Sequence, residues 1–93
     1  MMSPHSRPRL AAKARLRFDR KSQGYMLLYP ERGLALNPTA AELLKLCTGE
    51  HTVTAIVARL ADTYGNQPPA VIEREVLTFL ETMADRGLVT DGA

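Results

Sequence analysis

The sequence predicts an α+β domain, winged-helix-like in layout: a three-stranded antiparallel sheet followed by a three-helix bundle. Three observations lead there. "RLRFD", residues 15–19, alternates basic and apolar side chains, the period of two that marks a half-buried strand. From Pro38 onward the apolar spacing becomes helical, as in Val53, Ile56, Val57 and Leu60. The strand and helix blocks do not alternate along the chain, which favours α+β over a parallel α/β sheet. A length of 93 residues suits one domain. A chain this short buries only about 60–65% of its unfolded surface, enough for one modest core with little left for a deep catalytic cavity.

Each element has a local reason. Residues 1–13 hold Pro4, Pro8, basic charge and little else, and are read as a flexible basic arm ahead of a single domain over residues 14–90. After the first strand, "RKSQG" at 20–24 is a turn, with Gly24 available for positive φ. "YMLLY", residues 25–29, is a second strand, apolar enough to be central. "PERG", residues 30–33, is the next turn, Pro30 presetting its first position and Gly33 closing it. Gly33-Leu34-Ala35-Leu36 is then a short, uncharged third strand, and tight turns make the three an antiparallel meander.

Asn37-Pro38 opens the helical block as an N-cap followed by a proline at the first helical position. The first helix runs to about Cys47, and Gly49 is its stop. Thr52 caps a second helix over 53–64. "GNQPP" breaks the chain, and the third helix runs from Pro68-Pro69 to Arg86, with Gly87 as its stop and Ile72, Val76, Phe79, Leu80 and Met83 as its buried stripe. "LVT", 88–90, is a candidate short extended segment.

Charge is uneven. Residues 1–21 carry Arg7, Arg9, Lys13, Arg15, Arg17, Arg20 and Lys21 against Asp19 alone, a net +6, while the remainder carries −4. The basic segment is either a solvated tail or a device that steers an acidic partner. No apolar run approaches the roughly 20 residues a membrane span needs, and the N-terminus has no apolar stretch after its basic residues, unlike a secretory signal. The single cysteine, Cys47, has no partner for an internal disulfide, so a reducing, cytoplasmic setting is expected.

The chemistry of an enzyme is not visible. His5 and His51 are isolated, and one cysteine with one histidine makes no zinc site. Cys47 falls on an apolar helix face, where a thiol behaves as a small hydrophobe. Glu73 and Glu75 are two apart on a helix and do not share a face. No cofactor and no metal are expected. A winged-helix DNA-binding regulator is the alternative reading, but the third helix carries Glu73, Glu75, Glu81 and Asp85 against Arg74 and Arg86. Such a helix repels phosphates, so no nucleic-acid partner is expected. The uncharged strand at 33–36 is the remaining feature. Edges are normally blunted by charge or proline, and this one has neither. It lies inside the sheet, pairs in a homodimer by strand exchange, or accepts an extended peptide as an added strand.

Over residues 8–89, "RLRFD", "LLYPERGLALN", "LCTGEHTV" and "MADRGLV" together resemble the D proteins of pyrroloquinoline quinone (PQQ) biosynthesis. The resemblance implies a peptide chaperone akin to the recognition elements of ribosomally made, modified peptides (RiPPs). Such a protein binds the PQQ precursor peptide and presents it to a radical S-adenosylmethionine (SAM) enzyme that joins a glutamate and a tyrosine through a carbon–carbon bond. It performs no chemistry itself. In related domains the leader peptide lies as a strand on the third strand, against the last helix. The resemblance thus assigns backbone pairing to Gly33, Leu34, Ala35 and Leu36, and places Arg74, Leu77, Thr78 and Glu81 of the third helix toward the peptide.

Overall fold

The computed structural model describes residues 2–91. In chain order the elements are β1 (Pro8–Leu10), β2 (Arg15–Asp19), β3 (Gly24–Tyr29), β4 (Arg32–Ala35), α1 (Pro38–Lys45), α2 (Val53–Thr63), α3 (Pro69–Asp85) and β5 (Val89–Asp91). Strands β2, β3 and β4 form an antiparallel sheet with β3 central, and β1 pairs antiparallel with β5 in a second sheet. The α+β class holds. The likeness to a winged helix goes no further than a small sheet beside three helices.

The register explains how the sheet meets the helices. Leu16, Leu27 and Leu34 are direct cross-strand neighbours and so share a face. Leu27 is fully buried in a core it shares with Leu44 of α1, Val53 and Ile56 of α2, Leu80 of α3, and Leu88 and Val89. Burying a leucine or isoleucine side chain contributes about 1.5–3 kcal/mol, so this cluster holds helices and sheet together. Arg17, Met26 and Ala35 form the parallel row on the opposite, outer face.

Helix ends follow their sequence signals. The Asn37 side chain accepts the Ala40 N–H at 2.7 Å, and Thr52 Oγ1 accepts the Ala55 N–H at 3.1 Å. At the end of α3, Gly87 takes φ +73°. Its N–H reaches the Ala84 carbonyl and the Leu88 N–H reaches that of Met83, both at 2.9 Å, the paired bonds of a Schellman stop.

Residues 2–13 depart most from expectation. Met2, Ser6 and Pro8 are buried, and residues 8–10 are a strand rather than part of a flexible arm. The Val53 and Thr54 N–H groups, unpaired at the start of α2, donate to the carbonyls of Ser6 (2.9 Å) and Pro4 (3.1 Å). The Leu10 N–H donates to Cys47, and the Pro8 carbonyl accepts from Gly49. These partners lie some 40 to 80 residues away in sequence, so local composition does not reveal them.

The turns also differ in detail. Positive φ in the β2–β3 turn falls on Gln23 (58°), while Gly24 pairs with Asp19 inside the ladder. The β3–β4 turn is the two residues Pro30 and Glu31, which places Gly33 within β4 rather than at the turn. Among the described residues, no helix is long and apolar enough to cross a membrane.

Candidate functional site

β4 is an edge strand, and the ladder fixes which of its backbone groups are free. In an antiparallel pair, alternate residues exchange both hydrogen bonds with the neighbour. The Leu36 N–H donates to the Tyr25 carbonyl at 3.0 Å. Two-residue steps back from Leu36, Leu34 and Arg32 therefore bond β3, while Gly33 and Ala35 turn N–H and C=O outward. The strand begins one residue earlier than expected, with a charge at Arg32, and Leu36 lies just beyond it. Of the four residues expected to be open, two face outward, and Leu34 and Leu36 point their backbone groups at β3.

Beside this edge runs a groove of about 600 Å³, walled by Leu34 on one side and by Arg74, Glu75, Thr78, Phe79, Thr82, Met83 and Arg86 on the other. A neighbouring cavity of about 490 Å³ shares Glu75 and Phe79 and reaches Asn37, Leu43, Leu60 and Tyr64 between α1, α2 and α3. Leu34, Phe79 and Met83 give the groove apolar surface. Arg74 and Arg86 stand along it with no carboxylate within 4 Å among the described residues. Such a groove takes apolar side chains from an extended ligand, and a guanidinium can hold a carboxylate through two parallel hydrogen bonds.

The structure brings Leu34, Arg74 and Thr78 together on this groove. Leu77 and Glu81 lie on the other flank of α3, about 100–140° around the helix from Val76 in the opposite sense to the groove. Leu77 there is half-buried against the core. Glu75, Phe79, Thr82, Met83 and Arg86 also line the groove. Their helical spacing marks one flank of the buried stripe, but which flank meets β4 depends on how α3 packs, and the spacing alone does not say.

Among the described residues, no catalytic or metal centre competes with it. Cys47 is buried, donates its thiol to the Leu43 carbonyl at 3.4 Å, and burial pushes it up to about 12, far from a reactive thiolate. Among the described residues, no three His, Cys, Asp or Glu side chains gather as metal ligands would.

Comparison with known proteins decides the family. The family model described as coenzyme PQQ synthesis protein D matches residues 24–89. The chain belongs to that family. The PqqA binding protein of Rhodopseudomonas palustris strain BisB5 is 41% identical over 90 residues, covering 97% of this chain and 87% of that one. The bifunctional coenzyme PQQ synthesis protein C/D of Methylorubrum extorquens strain AM1 is 40% identical over 79 residues, 85% of this chain but 21% of that larger protein. The solution NMR structure of the PqqD truncation of Methylobacterium extorquens PqqCD, described as a functional, stand-alone RiPP recognition element, superposes with a TM-score of 0.82. That match has 37% identity and covers 97% of this chain and 95% of that one. The D-family span begins at Gly24 and so takes in β4 and α3, both walls of the groove, while β1 and β2 precede it.

Proposed function

We propose that this chain is a peptide chaperone of PQQ biosynthesis that binds the precursor peptide PqqA, for which its relatives are named, by strand addition to β4. The peptide pairs with the outward backbone groups of Gly33 and Ala35. Its alternate side chains enter the groove beside Arg74, Thr78 and Phe79. The chain does no chemistry. It presents the bound peptide to a radical SAM enzyme in the cytoplasm, where a lone thiol such as Cys47 stays reduced. The observation that carries the reading is an edge whose two outward residues, Gly33 and Ala35, are uncharged, next to an open apolar groove. The DNA-binding alternative has no comparable support, because α3 bears four acids against Arg74 and the capping Arg86.

Titration of labelled protein with the precursor peptide tests this directly. Amide shifts are expected at Gly33, Ala35 and the groove side of α3, and shifts confined to residues 2–13 would count against the site. Ala35→Pro removes an outward donor and leaves the β3 ladder intact, so peptide affinity falls by about 0.5–1.5 kcal/mol. Unchanged affinity would mean that the edge is not used. A homodimer by strand exchange would occupy the same edge, and light scattering with and without peptide exposes that competition.

A further inference from the structure

The outer face of the three-stranded sheet, turned away from the helices, is built unlike an ordinary solvated surface. Its centre is Met26 and Leu28, side by side over Gly33. A Cβ placed on Gly33 would lie 3.1 Å from both Leu28 Cδ2 and Met26 Cε, so the two apolar side chains close over the missing one. Around them stand Arg15 and Arg17, exposed on β2, and Arg20 and Lys21 of the following turn. A shallow depression of about 450 Å³ joins Met26 and Leu28 to Arg17 and the two turn cations.

None of these four cations has a carboxylate within 4 Å among the described residues. Asp19, at the end of β2, hydrogen-bonds the loop, accepting Ser22 Oγ–H at 2.9 Å and the Lys21 N–H at 3.3 Å. Charge alone would be explained as a guard on the β2 edge. A guard does not need an apolar centre, however, whereas a docking surface has an apolar middle with a charged rim.

We infer that this face docks an acidic surface of the protein that receives the peptide. Naming that protein rests on the peptide-binding reading, while the face itself is read from register and charge. The arrangement also gives presentation a geometry. Side chains of an added strand alternate between the groove and the outer face, where Gly33 and Ala35 lie. A partner seated on Met26 and Leu28 therefore reaches the peptide side chains that the groove does not hold.

The test uses the full chain, the precursor peptide and the radical SAM enzyme. The variant Arg15→Glu, Arg17→Glu, Arg20→Glu, Lys21→Glu is expected to bind the enzyme roughly tenfold or more weakly, with peptide affinity within about twofold of the parent. The same four changed to Gln, a milder set, guard against misfolding of the reversed one and should show a smaller loss. Parent affinity for the enzyme should fall as salt rises from about 0.05 to 0.5 M. Arg74→Glu, on the α3 wall of the groove and away from the outer face, should show the converse, weakened peptide binding with enzyme binding retained, so failure of the groove and failure of the face are told apart. Enzyme affinity held within about twofold in both four-site variants, or no enzyme binding by the parent, overturns the inference. So does equal loss of peptide binding, which would merge the face with the peptide site. Self-association of the parent that the variants abolish would assign the face to a second copy and overturn it as well.

Discussion

Both edges of the three-stranded sheet leave alternate backbone groups unpaired, yet the side chains beside those groups differ. On β2 the outward backbone belongs to Leu16 and Phe18, flanked by Arg15 and Arg17. On β4 it belongs to Gly33 and Ala35, with Arg32 only at the start. Phe18 further closes its end of β2 with an edge-to-face stack on Tyr25, ring centroids 5.3 Å apart at 70°. Charge on an edge opposes another strand, and a glycine on an edge lets a backbone approach. One sheet thus carries a guarded edge and an open one, and only the open one borders the groove along α3.

The widest test removes what the two edges share. Leu27 is the centre of the sheet and fully buried. Leu27→Ala should destabilise the fold by about 2–5 kcal/mol in denaturant unfolding, and both edges should lose amide protection together. Loss at one edge alone would mean the two are not held by a common strand.

A second test uses adjacent positions on the open edge. Leu34 donates inward to β3, whereas Ala35 faces out. Leu34→Pro breaks the ladder and removes a packed leucine, so stability should fall by about 2–4 kcal/mol and peptide binding with it. Ala35→Pro should leave the unfolding midpoint nearly unchanged. Equal destabilisation by the two would refute the assigned backbone directions.

A smaller effect is expected at Gly33. Its new Cβ would press on the ends of two flexible side chains, Met26 and Leu28, rather than on backbone. Gly33→Ala should therefore change stability by less than about 1 kcal/mol. The larger consequence is for strand addition, since a methyl group then stands beside the incoming backbone. Peptide affinity measured by titration should fall modestly, and a rise would argue that close approach at Gly33 is not needed.

Much of this was legible along the chain because it is local. The alternation in "RLRFD", the Asn37 and Thr52 caps and the Gly87 stop each act within a few residues. What was hidden depends on distant partners. Pro4, Pro8 and the charges of residues 1–13 resemble a tail until the N-terminus of α2 and strand β5 supply partners. The site divided the same way. The edge strand was visible as an uncharged run, but the alternation of its hydrogen bonds needed the register with β3. Phe79 belongs to the buried stripe by its spacing and Leu77 lies off it, and only the packing of α3 shows that the flank of Leu77 turns from the groove while Phe79 lines it.

The smallest effect lies at the guarded edge. The Ser22 hydroxyl, then the Lys21 N–H, hold the Asp19 carboxyl below its usual range. A carboxylate depressed in the folded state contributes stability above its unfolded value, about 3.9, and loses it as pH falls through the folded value. The group is fully exposed, so solvent screens the contribution. Asp19→Asn keeps an acceptor for the turn but removes the charge. The parent should be the more stable of the two near pH 6, and the gap should close as pH drops below about 4. Urea midpoints for the pair between pH 6 and 2.5 provide the measurement. A gap that stays constant across that range would show that the carboxylate's charge does not tie down the turn that ends β2.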